Sequence, residues 1–176
     1  MAGCLRLTGQ DAVTLCTQAL QSTDSVSPAR RAELHFARGN AYLSLQRYQN
    51  AVDDFTAVIE LNPTLGGAYV DRGVAHHHLR QYERAIRDYD RAIALNSDLF
   101  AAHYNRALSY FRLGRYAEAW KDFDDAAKRT PDDAKALYGR GLSKARLDRS
   151  GDADFAAAKR LDPGIADKFA REGLSP

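Results

Sequence analysis

The chain has 176 residues, of which 45% are hydrophobic and 27% charged, and its formal net charge at neutral pH is +2. Positive and negative residues are interspersed, so no basic stripe of the kind that follows a phosphate backbone is present, and we expect no nucleic-acid partner. No apolar run approaches the roughly 18 residues that a transmembrane helix needs, so we expect no membrane span.

The first predicted element is an amphipathic helix from Asp11 to Gln21, with its apolar residues at helical spacing on one side. Its Ala19-Leu20 end resembles the ends of later predicted helices at Val58-Ile59 and Ala92-Ile93. We therefore interpret it as half of a repeated unit whose first helix is missing, and residues 22–27 as the connection to the next helix.

Beyond this helix the sequence repeats four times with a spacing of 34 residues. The first copy carries small and aromatic residues at Gly39, Tyr42, Ala51 and Phe55, three or four positions apart within each half. This spacing predicts two helices per copy, each with one apolar stripe that needs a neighbour to cover it. The first helices are predicted at about 28–45, 64–79, 98–113 and 131–147, and second helices after Tyr48, Tyr82 and Tyr116.

Four dipeptides place a capping side chain before a proline, which suits the first position of a helix. They are Ser27-Pro28, Asn62-Pro63, Thr130-Pro131 and Asp162-Pro163. We predict that each of them starts a helix.

The fourth copy is shorter, because Arg140 and Asp154 are 14 residues apart where the other copies have 16. We interpret this as a two-residue deletion in the turn, after which the pattern returns to register. Residues 165–172 then predict a short helix that covers the last second helix, since a terminal repeat needs a polar outer face.

This pattern resembles the tetratricopeptide repeat, a helix-turn-helix unit with small and aromatic residues at fixed positions and a closing proline. The resemblance covers Ala32 to Pro163 and implies an all-α fold, a right-handed α-solenoid of helix-turn-helix repeats. The predicted domains are a half repeat and connection at 1–31, four repeats at 32–65, 66–99, 100–133 and 134–163, and a C-terminal capping helix and tail at 164–176.

Each copy also carries an arginine in its first helix and an aspartate before an aromatic residue in its second. The pairs are Arg38 and Asp54, Arg72 and Asp88, Arg106 and Asp122, and Arg140 and Asp154. Enzymes do not array one catalytic pair four times, whereas arginine suits a bidentate, partly buried bond to a carboxylate. We predict a structural ion-pair ladder, and the spacing allows each aspartate to pair within its own repeat or with the next.

Cys4 and Cys16 are the only cysteines of the chain. Their place resembles the leading cysteine pair of exported bacterial tetratricopeptide proteins with the same Arg-Gly and Asp-aromatic signature, and this resemblance implies a disulfide. A disulfide would indicate an oxidising compartment, so the protein would be periplasmic or exported if a signal peptide was removed. The alternative is two buried thiols in a cytoplasmic protein.

No motif predicts chemistry. His76, His77 and His78 are adjacent helical residues that point in different directions, so they cannot hold one ion together, even with His103 nearby, and we predict no metal site. A phosphate-binding glycine loop, a Gly-x-Ser-x-Gly elbow and a His-Glu-x-x-His helix are all missing. We therefore expect neither a cofactor nor an enzyme.

In the family that the sequence resembles, the first helices line a concave groove. The positions that would face it are Phe36, Asn40, Val70, Asp71, Val74, Tyr104, Asn105, Leu108, Phe111, Tyr138 and Leu142. Family members that grip the carboxylate tail of heat-shock chaperones need lysine and asparagine at such positions, and here Phe36 and Asp71 replace them, so that ligand is not predicted.

The predicted function is a protein-interaction adaptor that binds a peptide or helix of a partner in this groove. The alternative is a self-assembling scaffold that forms homo-oligomers. A simpler explanation of the aromatic residues is that Phe36, Tyr104 and Tyr138 only pack against their neighbours.

Overall fold

A computed structural model describes residues 7–22 and 26–175. Within these ranges the chain forms ten α-helices and no strand. They are α1 (Gly9–Gln21), α2 (Pro28–Ser44), α3 (Tyr48–Leu61), α4 (Gly66–His78), α5 (Tyr82–Leu95), α6 (Phe100–Arg112), α7 (Tyr116–Arg129), α8 (Ala134–Ala145), α9 (Asp152–Leu161) and α10 (Ile165–Arg171). The all-α fold is confirmed, and α3, α5 and α7 begin at the three tyrosines that the sequence indicated.

The helices form two compact units, which we call unit 1 (Met1–Ser97) and unit 2 (Asp98–Pro176). In unit 1 each helix from α1 to α5 packs against the next, and α2 also contacts α4. In unit 2 the same holds from α6 to α9, and α6 also contacts α8. Each unit therefore has a row of adjacent first helices, as expected for stacked helix-turn-helix pairs.

A small residue in the first helix lets an aromatic ring of the second helix approach its backbone. A Cβ atom placed on Gly39 would lie 2.9 Å from Cε1 of Phe55, and one on Gly73 only 2.5 Å from Cε1 of Tyr89. Both rings are fully buried. The small-aromatic signature of each repeat is thus a close-packing requirement between its two helices.

The start of α2 confirms one predicted cap. Ser27 is the N-cap residue, its side-chain oxygen accepts a hydrogen bond of 3.3 Å from the backbone N–H of Arg30, and Pro28 is the first helical residue. This is the arrangement in which proline costs no hydrogen bond.

The other three predicted caps are wrong. Asn62, Thr130 and Asp162 end the preceding helices α3, α7 and α9, and the following prolines lie in turns. The side chain of Asn62 accepts a 3.2 Å hydrogen bond from the backbone of Thr64, and that of Asp162 accepts a 3.1 Å bond from the backbone of Gly164. These short polar side chains stabilise turns because they bond the backbone two residues on.

The fourth helix pair forms despite its shorter connection. Asp148 has a positive φ of 54° in the turn between α8 and α9. A Cβ atom on Gly151 would lie 2.4 Å from the carbonyl oxygen of Gly141, so the turn lies directly against α8 and only glycine fits there.

Candidate interaction surfaces

Each ladder arginine pairs with the aspartate of its own repeat. Arg38 donates from Nε to Oδ2 of Asp54 at 2.8 Å and from Nη2 to Oδ1 at 2.7 Å. The same two-bond fork joins Arg72 to Asp88 and Arg106 to Asp122. In the shortened fourth repeat, Nε and Nη2 of Arg140 both donate to Oδ1 of Asp154. The spacing of the sequence left this choice of partner open.

The remaining guanidinium nitrogen reaches back to the preceding helix pair. Nη1 of Arg38 donates to Oγ1 of Thr17 on α1 at 3.0 Å, and Nη1 of Arg72 donates to Oγ1 of Thr56 on α3 at 3.1 Å. In unit 2, Nη1 of Arg140 donates to Oδ1 of Asp124 on α7 at 2.7 Å. These arginines therefore contact three helices each, which supports the predicted structural role.

The ladder aspartates are buried anions. Burial alone would raise the pKa of Asp54, but hydrogen bonds from Arg38 and His35 outweigh it and hold this pKa below its ordinary value. The pKa of Asp122 is lowered in the same way, with Arg106 as its main partner. Such carboxylates stay ionised at neutral pH, as a structural ion pair requires and a general acid does not.

An open cavity of about 690 Å³ lies on unit 1. Its walls come from one face of α2 and from the turn between α3 and α4. The lining residues are Ala29, Ala32, Glu33, Phe36, Ala37, Asn40, Leu61, Asn62 and Leu65. Leu61 is 39% exposed and Leu65 38%, which is unusual for large apolar side chains. Phe36 and Asn40, both predicted groove residues, are brought together here, and the ring of Phe36 lies edge-on to Phe55 at 5.7 Å.

Asp71 on α4 is a half-buried carboxylate with neither a hydrogen bond nor an ion pair to any residue in the described ranges. Burial raises its pKa to about 6. In the repeat register it holds the position of Ala37, which lines the cavity. The other predicted positions on α4 offer less surface, since Val70 is buried and Val74 half-buried.

In unit 2 the position that corresponds to Ala32 is filled. Phe100 lies there, 68 residues on, and its ring stacks on Tyr104 with 5.8 Å between centroids. Tyr104 lies edge-on to Phe123 at 5.6 Å. Tyr104, Asn105 and Leu108, all predicted groove residues, are half-buried.

Residues 165–175, which we call the C-terminal segment, cover the rest of the predicted groove in unit 2. The segment comprises α10, which packs against α8 as well as α9, and the residues after it. Tyr138 is 4% exposed and lies 4.8 Å from the ring of Phe169, centroid to centroid. Phe111 and Leu142 are also buried. The sequence predicted only that this helix covers the last second helix, because amphipathicity does not show which surface an apolar face meets.

The histidines of α4 point in three directions. Nδ1 of His76 lies 2.7 Å from the side-chain oxygen of Gln81, while His77 meets the ring of Tyr82 and His78 stacks on Tyr48. In unit 2, His103, Asp122 and Asp125 bring possible ligand atoms within 4.8 Å of one another. Both oxygens of Asp122, however, already accept hydrogen bonds from Arg106, so this group belongs to the ladder.

Cys16 is completely buried in α1, whereas Cys4 lies outside the described residues. The bond between them stays a prediction. Along residues 7–22 and 26–175 no helix is both long enough and apolar enough to cross a membrane.

Three family models match the chain. One described as TPR repeat matches residues 80–114, and two described as tetratricopeptide repeat match residues 32–65 and 104–164. No curated protein sequence matches it.

Many solved structures resemble the fold at low sequence identity. A crystal structure of MamA protein is 21% identical with a TM-score of 0.76, and the alignment covers 94% of this chain and 86% of that one. The Arabidopsis OM64 TPR domain and the first TPR of Spaghetti (RPAP3) bound to the HSP90 peptide SRMEEVD are each 24% identical with TM-scores of 0.66. These two alignments each cover 68% of this chain, with 98% and 94% of those domains. The predicted α-solenoid class is confirmed.

Proposed function

Since the chain is a tetratricopeptide repeat protein, a class of protein-interaction module, we propose that it is an adaptor without chemistry of its own. Its ligand is a segment of a partner protein, bound in the cavity of unit 1. The observation that carries this proposal is the open apolar cavity between α2 and the turn before α4.

The cavity suits a large apolar side chain of the partner. Its floor is formed by alanine side chains and by Phe36, and the exposed Leu61 and Leu65 stand at its edge. Exposed apolar surface of this kind usually marks a contact, and an aromatic or aliphatic anchor in such a pocket contributes much of the binding energy of an interface. The amide of Asn40 lies at the wall, where it can bond to the backbone of a bound segment.

Charge favours a basic segment. Glu33 at the cavity already pairs with Arg30 at 2.6 Å, but Asp71 has no described partner. A lysine or arginine next to the apolar anchor would neutralise Asp71. The acidic HSP90 peptide that Spaghetti binds would meet repulsion here.

The test is to fill the cavity with the side chain that unit 2 places at the same repeat position. Peptides from a random phage-displayed library are selected on the wild-type protein, and their affinity is measured for Ala32→Phe. We expect a loss of at least about 30-fold, which corresponds to about 2 kcal/mol. Ala117→Phe adds the same ring at an exposed position of α7 and should bind like the wild type.

Equal binding of the selected peptides by both variants would refute the cavity as the site. The alternative of self-assembly needs no foreign ligand. Light scattering of the protein alone would then show a mass that rises with concentration, and Ala32→Phe would abolish that rise if the cavity held a second copy.

A further inference from the structure

We infer that the C-terminal segment is an intramolecular ligand that occupies a second peptide-binding groove, formed by α6 and α8 of unit 2. A partner that uses this groove is a segment of similar chemistry, and it must displace the chain's own end. This inference concerns a different surface from the cavity of unit 1 and stands without it.

The apolar part of the contact resembles a bound peptide with two anchors. Phe169 packs on Tyr138, and Leu174 is only 3% exposed although it lies two residues from the end of the chain. Both anchors belong to the same cluster of buried apolar side chains as Phe111 and Leu142. These groove residues come from the first helices α6 and α8, which are the surface predicted to bind partners.

The polar part recognises the backbone of the segment. Arg112 of α6 donates from Nη2 to the carbonyl oxygen of Glu172, and Arg146, which follows α8, donates from Nη2 to the carbonyl oxygen of Ser175 at 2.9 Å. Both arginines are exposed. Since they bind carbonyl groups that every peptide has, another segment can replace this one without losing these bonds.

The geometry of the segment defines the partner. α10 ends in a turn in which the N–H of Leu174 donates to the carbonyl of Phe169 at 2.9 Å, and Gly173 has a left-handed φ of 70°. The two anchors are thus five residues apart on a short helix that ends at glycine. We expect a partner with an aromatic residue, a leucine five positions later and a glycine just before that leucine.

The segment is suited to come off. A seven-residue helix is not stable in isolation, and the ends of a chain open locally more easily than the elements they cover. While attached, however, the segment acts at an effective concentration in the millimolar range, so a free ligand competes poorly with it. Occupation of the groove by the segment therefore holds the site closed until a stronger ligand arrives.

The test uses a fluorescein-labelled synthetic peptide of residues 163–175 and the full-length protein. In the double variant Phe169→Asp/Leu174→Asp the chain's own segment loses both anchors while the groove is unchanged. We expect the variant to bind the peptide at least tenfold more tightly than the wild type in fluorescence anisotropy. A peptide that carries the same two changes should not bind.

Two further variants locate the site. Adding Arg112→Ala to the double variant should weaken peptide binding several-fold, because one carbonyl contact is lost. Adding Ala32→Phe should have no effect, since the cavity of unit 1 is not involved. A loss of binding on Ala32→Phe would place the peptide in unit 1 and overturn the inference.

The inference is also overturned if the double variant keeps its helical circular dichroism and melting temperature but binds the peptide no better than the wild type. Should the double variant fail to fold, hydrogen exchange of the wild type decides. The amides of 169–175 should exchange much faster than those of α8. If they exchange as slowly as α8, the segment opens only when the whole unit unfolds and is part of the fold.

Discussion

Unit 1 and unit 2 share one architecture but present opposite states of the surface formed by their first helices. Unit 1 has a cavity beside Ala32, whereas unit 2 has the ring of Phe100 at the same repeat position. The chain end covers more of the surface in unit 2 and does not extend to the cavity in unit 1. Packing between repeats thus sets where a groove can form, while single side chains and the chain terminus decide whether it is open.

The largest expected effect tests what the two units have in common, the ladder. Arg72→Ala in unit 1 leaves the buried Asp88 without its partner and should destabilise the protein by about 3 kcal/mol. His76 compensates poorly, because burial lowers its pKa and favours the neutral ring. Arg140→Ala in unit 2 should cost only about 1 to 2 kcal/mol, since Lys144 still contacts Asp154 at 2.8 Å.

Urea unfolding followed by circular dichroism measures both losses. The double change Arg72→Ala/Asp88→Ala should cost less than the sum of its parts, because it removes the unpaired charge. Additive losses would show that these two residues are not energetic partners, and equal losses for Arg72→Ala and Arg140→Ala would contradict the role given to Lys144.

An intermediate effect is expected where the units differ. Phe100→Ala removes the stack on Tyr104 and should lower stability by about 1 to 2 kcal/mol, less than for a fully buried ring because Phe100 is half-buried. The reverse change, Ala32→Phe, should cost less than about 0.5 kcal/mol, since its ring enters open space. Thermal unfolding compares the two. A strong destabilisation by Ala32→Phe would mean that the cavity cannot accept a ring.

The smallest effect concerns Asp71 and its counterpart Asn105 in unit 2. Burial raises the pKa of Asp71 to about 6 from an ordinary value of 3.8. Between these two pH values the native state binds more protons than the unfolded chain, so stability falls as the pH rises through this window. Asp71→Asn should therefore match the wild type near pH 4 and be more stable by about 1 kcal/mol above pH 7.

Asn105→Asp is the matched reverse change and should destabilise at neutral pH but not near pH 4. Asp54→Asn serves as the opposite control, because the pKa of Asp54 is lowered and its contribution is present above its unfolded pKa and lost as the pH falls. If Asp71→Asn gives no gain at pH 7, water or a neighbouring group already solvates this carboxylate.

The sequence predicted the elements well because the register of the repeats is strong. Tyr48, Tyr82 and Tyr116 marked three helix starts, and the recurrence of the arginines and aspartates identified the ladder. The partner of each arginine was not predictable, since a separation of 16 residues fits a bond within one repeat or across two.

The surface was harder to predict because it depends on contacts between distant residues. Helical spacing placed Tyr138 and Leu142 towards the groove but could not show that Phe169 and Leu174 would cover it. The burial of Asp71 likewise follows from packing, not from its neighbours in sequence. The three wrong caps arose because asparagine, threonine and aspartate before proline suit the end of a helix as well as its start.

The backward hydrogen bond of the ladder limits how such an array can evolve. Arg38, Arg72 and Arg140 each require an acceptor on the preceding pair, supplied by Thr17, Thr56 and Asp124. Duplication or exchange of repeats succeeds only when the new predecessor carries a hydroxyl or carboxylate at that site. A recombinant that places an apolar residue there would leave a partly buried guanidinium N–H without a partner. These repeats are consequently not interchangeable modules, and their order along the chain is under selection.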